Sequence, residues 1–132
     1  MANIIGDKAE FSKTISESDI YLFAGITGDF NPMHVNEEFA SKTRFGKRIA
    51  HGMLISSFIS TALGMKMPGI GTIYISQQVE FKKPVFIGDT ITAYLEVVEI
   101  LEKGFLKISS MVKNQHDEIV IEGYSVVKPP KE

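Results

Sequence analysis

The sequence predicts an α+β fold, with an antiparallel β-sheet curled about one long apolar helix. Three observations point there. Helical periodicity is confined to the stretch before Gly64, and four strand-like runs occupy the remainder. Those runs follow one another with only turn signals between them, so no helix is available for parallel crossovers. The helix starting at Gly52 is apolar nearly all round, so it needs cover on most of its sides.

The elements follow in order. Phe11-Ser12-Lys13-Thr14 and its neighbours suit a short opening strand. Ser16-Glu17-Ser18-Asp19 is a helix start, with Ser16 as cap and Asp19 near the positive end of the dipole. Ile20, Phe23, Ala24 and Thr27 share one face of that helix, and Gly28 ends it. A second short helix starts at Asn36. The third, from Gly52, places Leu54, Ile55, Phe58, Ile59, Ala62 and Leu63 on a broad apolar face and its hydroxyls on the remainder. Strands are expected at 72–80, 90–100, 105–113 and 119–128, divided by turns at 84–89, 103–104 and 114–118.

Composition narrows the function. The chain of 132 residues is expected to form one domain over 1–132, with 44% hydrophobic and 23% charged residues. A net charge of -2 without a Lys/Arg cluster argues against nucleic acid as partner. The absence of cysteine removes disulfides, thiolate metal sites and a cysteine nucleophile. Residues 51–65 carry no charge, but as a helix they reach only about 22 Å and fall short of the roughly 20 apolar residues of a membrane span. Met1 to Asp7 lack a basic stretch leading into an apolar one, so a cytoplasmic protein without a secretory leader is expected.

The chemistry concentrates in Gly28-Asp29-Phe30-Asn31-Pro32-Met33-His34. Pro32 fixes its own φ, lacks an N–H and pushes Asn31 toward extended geometry. Asp29 and His34 therefore lie either side of a stiff bend, a placement that suits proton transfer. The plainer reading is an Asx turn, a capping Asp and a packed His, and spacing alone favours it.

The neighbouring residues shift the balance. The run Phe23-Ala24-Gly25-Ile26-Thr27-Gly28-Asp29-Phe30-Asn31-Pro32-Met33-His34, then Ile49-Ala50-His51-Gly52-Met53-Leu54 and Phe81-Lys82-Lys83-Pro84-Val85-Phe86-Ile87-Gly88-Asp89, resembles the MaoC-like (R)-specific enoyl-CoA hydratases over nearly the whole chain. The resemblance implies a hot-dog fold, with the sheet as bun and the 52–65 helix as filling, usually in dimers. It implies that Asp29 and His34 hold one water and add it to a 2-enoyl thioester, giving an (R)-3-hydroxyacyl product, with no cofactor or metal. The acyl group would arrive on CoA or on a carrier protein. The Gly52 amide would bond the thioester carbonyl, and Ser60 would assist. Asn31 and His51 join Gly52 and Ser60 as candidates for oxyanion or substrate binding, although shaping the bend is Asn31's plainest task; His51 has a catalytic reading beside its plainer one of orienting the loop or the helix start. His116 sits in a polar turn and reads as solvated.

Other readings compete. A 3-hydroxyacyl-carrier-protein dehydratase shares the chemistry in reverse; a thioesterase or a non-catalytic acyl-thioester binder shares the fold. Asp29, His34 and His51 also have the composition of a two-histidine, one-carboxylate metal site. Gly69-Ile70-Gly71-Thr72 opens like a dinucleotide fingerprint but lacks its last glycine and a preceding strand.

Overall fold

The computed structural model describes residues 3–131; Met1 and Ala2, which head the segment read for a leader, and Glu132 lie outside them. Strand β1 (Lys8–Thr14) is followed by α1 (Glu17–Thr27), the short α2 (Pro32–Val35) and α3 (Glu37–Ser41), and the long α4 (Gly52–Met65). Strands β2 (Ile73–Phe81), β3 (Thr90–Ile100), β4 (Leu106–Lys113) and β5 (Ile119–Lys128) complete the chain. They form one antiparallel sheet in the order β1-β3-β4-β5-β2. The bounds of α4, β3 and β5 coincide with those expected from the sequence, and β2 and β4 each begin one residue later.

Alternation fixes which face of the sheet is inside. In β3, Ile91, Ala93, Leu95 and Val97 are buried, and in β4 Leu106, Ile108, Ser110 and Val112 are. Helix α4 lies on that face, and its Leu54, Ile55, Ile59, Ala62 and Leu63 join the same core. Each such Leu or Ile contributes about 1.5–3 kcal/mol on burial, so this helix–sheet layer dominates the fold's stability. Phe58 reaches sideways to stack on Phe11 of β1, with ring centroids 6.2 Å apart. Two positions depart from the expected faces. Ser56 is buried with the apolar residues, its hydroxyl satisfied by the Met53 carbonyl at 3.1 Å. Thr27 is exposed at the last turn of α1, where its hydroxyl bonds the Phe23 carbonyl.

The start of α1 is a capping box: Ser16 Oγ accepts the Asp19 N–H, and the Asp19 carboxylate accepts the Ser16 N–H. Lys13 pairs with the same carboxylate at 2.9 Å and ties β1 to the helix.

The two sheet edges differ in kind. Strand β1 turns Lys8, Glu10, Ser12 and Thr14 outward, a charged and polar rim that discourages pairing. Strand β2 leaves Ile73, Ile75 and Phe81 about half exposed, at 54%, 48% and 53%. Met53 of α4, Ile26 of α1 and Phe30 just after α1 are exposed as well. No helix among the described residues is long and apolar enough to cross a membrane.

Candidate active site

Two segments build the site. The first begins where α1 stops at Gly28, whose φ of 82° places it in the left-handed region that glycine enters without strain. Asp29 Oδ1 then accepts the Asn31 N–H and Asn31 Oδ1 accepts the Met33 N–H, both at 3.2 Å. Asn31 is extended, as the following proline demands, and caps α2. Pro32 takes the first helical position, where a missing N–H costs nothing. The bend is therefore shorter than the sequence suggested: His34 stands on one turn of helix, and only residues 28–31 form the loop.

The second segment, residues 48–52, crosses behind the first. The Ile49 N–H bonds the Met33 carbonyl at 3.2 Å, and the Ala50 N–H bonds the Val85 carbonyl at 2.7 Å. The Ile49 carbonyl lies 2.7 Å from His34 Nδ1. A carbonyl only accepts, so Nδ1 carries the hydrogen and Nε2 is left as the ring's free acceptor. His51 Nε2 donates in the same way to the Asp29 carbonyl at 2.9 Å. The two imidazoles stack with centroids 4.0 Å apart, and Phe23 closes the far side of His51 at 4.9 Å.

Burial pushes the His34 imidazole below its ordinary 6.5, with His51 acting in the same direction; the Ile49 carbonyl and Asp29 oppose the shift. His34 thus keeps a lone pair at neutral pH. Asp29, by contrast, is exposed in this single chain. The loop carrying it projects beside the exposed Phe30, next to a surface that nothing in one chain covers.

Asp29, His34 and His51 bring one donor atom each to within 4.8 Å of one another. Two hydrogen bonds of about 2.8 Å that meet tetrahedrally at one water span about 4.6 Å, so the cluster has the size of a single-water site. The same donor set could hold a cation. One nitrogen of each histidine is already committed to a backbone carbonyl, and His51 Nδ1 is buried without a partner among the described residues.

Gly52 opens α4. His51 precedes it as the helix cap and makes no side-chain capping bond. The amides of the first turn are thus unpaired within the helix and face whatever approaches its positive end. A cavity of about 290 Å³ reaches Gly52, walled by Ile49, Ala50, Ile55, Phe81 and Ile121, with Arg44, Lys82 and Lys83 also around it. A Cβ at position 52 would stand 2.8 Å from Phe81 Cε1, so the ring and the glycine fit each other.

The remaining expected residues separate. Asn31 shapes the loop. Ser60 lies eight residues into α4, roughly 12 Å along the axis from Gly52, beside a second hollow shared with Met53, Ser57, Tyr74 and Gln77. Ser57 and Thr61 bond carbonyls earlier in the helix, whereas Ser60 makes no such bond among the described residues. His116 is exposed in its turn. The Ile49 carbonyl and the Phe81 ring were not anticipated: a backbone acceptor leaves no trace in residue type, and Phe81 stands just past the expected 72–80 strand, where nothing in its type marks a contact with Gly52.

A curled antiparallel sheet holding one central helix, with an acid and an imidazole at the helix's N-terminal end, defines a hot-dog protein of the hydratase and dehydratase kind. The chain belongs to the MaoC like domain family, whose model matches residues 1–120. It is 50% identical over 126 residues to an (R)-specific enoyl-CoA hydratase of Rhodospirillum rubrum, spanning 95% of this chain and 87% of that one. Among solved structures, the unliganded R-hydratase of Pseudomonas aeruginosa superposes with a TM-score of 0.94 at 41% identity, covering 98% of this chain and 84% of that one. The Aeromonas caviae (R)-hydratase involved in PHA biosynthesis gives 0.93 at 38%, covering 97% and 98%. A mitochondrial 3-hydroxyacyl-carrier-protein dehydratase of Arabidopsis thaliana is more distant, at 33% identity over 89% of this chain and 71% of its own.

Proposed function

We propose that this chain, as a single MaoC-like domain over residues 1–132, is an (R)-specific enoyl-CoA hydratase. The observation that carries the reading is the convergence of Asp29 and His34 at single-water distance beside the unpaired amides of α4. In the reaction, the water oxygen bonds Cβ of the trans-2-enoyl thioester while His34 Nε2 and Asp29 take up its proton. The developing enolate oxygen is held by the Gly52 N–H, a contribution worth about 10²–10³ in rate for one such donor. The proton then returns to Cα on the same face, which gives syn addition and, read backwards, dehydration.

The dehydratase reading on a carrier protein shares every one of these groups. The higher identity to the CoA hydratase favours CoA as the carrier, and a cytoplasmic setting goes with that substrate. The apolar β2 edge, with Ile73 and Ile75 exposed, supports a homodimer that pairs this edge with its copy.

The test is the absorbance of crotonyl-CoA alongside free-thiol release, with the product's chirality determined. Loss of the enoyl absorbance without thiol, giving the (R) alcohol, is expected. Asp29→Asn and His34→Ala are each expected to lower turnover by about 10²–10⁴. Thiol release would make the chain a thioesterase, and no reaction would make it a binder.

A further inference from the structure

We propose that Arg48 is a positioning residue whose guanidinium holds the 48–52 segment so that the Ile49 carbonyl fixes the tautomer of His34. Arg48 sits in a loop, yet its side chain is only 11% exposed. Its Nε donates to Glu37 Oε2 at 2.7 Å, its Nη2 to Glu17 Oε1 at 2.8 Å, and its Nη1 to the Tyr21 hydroxyl at 2.9 Å. The Tyr21 hydroxyl in turn donates to Glu17 Oε1 at 2.9 Å. Glu17 and Tyr21 belong to α1, which leads into the Asp29 loop, and Glu37 belongs to α3, which leaves α2 and His34 behind. One planar fork therefore bridges the helices on both sides of the catalytic turn.

The next residue supplies the link to chemistry. Ile49 accepts the His34 Nδ1–H and donates its own N–H to the Met33 carbonyl, so the residue next to Arg48 touches the helical turn of His34 twice, through two successive peptides. Three residues after Arg48, His51 holds the Asp29 carbonyl, and Gly52 presents its amide. Exposed ion pairs are worth little for stability. This one is different in what it aligns: a small shift of residue 49, whose carbonyl lies in the 49–50 peptide, releases Nδ1, lets the proton move to Nε2, and removes the acceptor that the water needs. A lysine could reach one acid but could not span both and the tyrosine, because it lacks the fork.

The kinetic arm of the test rests on the hydration reading above; a spectroscopic arm does not. Long-range ¹H–¹⁵N correlation of the imidazoles is expected to show wild-type His34 with its hydrogen on Nδ1 alone. Arg48→Met is expected to show a mixture of tautomers and, with crotonyl-CoA, a kcat about 10- to 100-fold lower at nearly unchanged KM, the scale of a misplaced catalytic group. Arg48→Lys is expected to recover only part of the loss. If Arg48→Met does not fold, the Glu17→Gln/Glu37→Gln double variant keeps the guanidinium and weakens its anchors, and the same changes are expected in smaller degree. A folded Arg48→Met, or the double variant in its place, with the wild-type tautomer and kcat would overturn the proposal, as would a raised KM at constant kcat. A wild-type chain that leaves crotonyl-CoA untouched defeats the hydratase reading instead, and the tautomer of His34 then decides the proposal alone.

Discussion

Gly52→Ala isolates the amide end of α4 from the stability of the fold. The added Cβ would meet Phe81 Cε1 at 2.8 Å and Cδ1 at 2.9 Å, so the ring must move. In a closed core such overpacking costs about 1–3 kcal/mol. Phe81 is 53% exposed, however, and its ring can swing outward, which puts the cost at the low end of that range. Alanine is also the better helix former, by less at this first helical position than the about 1 kcal/mol of a helix interior. The two terms partly offset, and the melting temperature is expected to stay within a few degrees of wild type. Catalysis has no such compensation: the methyl and the displaced ring crowd the approach to the amide. If that amide binds the enolate oxygen, kcat for crotonyl-CoA falls by about 10²–10³, the value of one oxyanion donor. Adding Phe81→Leu makes room for the methyl and is expected to restore part of the rate, as a double-mutant cycle would show. Stopped-flow hydration and thermal unfolding on the same four proteins measure both sides. A folded Gly52→Ala variant turning over at the wild-type rate would refute the assignment of the amide.

Four further outcomes follow from the structure. Because burial holds His34 below 6.5, kcat/KM is expected to lose its base on the acid side with a midpoint under 6.5; a midpoint at or above that value contradicts it. The unfolded chain binds more protons than the folded one between the lowered value and 6.5, so the contribution of His34 to stability rises with pH across that window, which urea titrations at several pH values can follow. Ile59→Ala, at a fully buried position of α4, is expected to cost about 2–5 kcal/mol and to lower the melting temperature by on the order of 10 °C, measured at fixed protein concentration. Ile75→Glu on the open edge is expected to convert a sedimenting dimer to monomer with the hydratase rate reduced, and a wild-type chain that already sediments as monomer rules out the edge pairing.

Much of the fold was legible because periodicity carries it. The uncharged run after His51, the alternating β3 and the turn residues at 84–89 and 114–118 each have one physical reading, and the elements lie where those readings place them. The Asp29 and His34 pair was legible through its neighbours more than through its spacing. What stayed hidden is of three kinds. Pro32 breaks a helix and also starts one, and only the coordinates show that it does the second here. Exposure of Asp29 depends on what one chain leaves uncovered, which no local pattern records. Arg48 looks like any loop arginine until the chain folds and brings Glu17 and Glu37 to it from residues 31 and 11 positions away.

In the homodimer proposed above, the contrast between the two rims of the sheet would also limit how many copies can join. When β2 of one molecule meets β2 of another across a twofold axis, the greasy edges are used up together, and the outermost strands of the enlarged sheet are both β1. Their lysine and glutamate side chains then face water at each end. In that proposed dimer growth would stop at two, so a strand bare enough to pair would not become a seed for fibres.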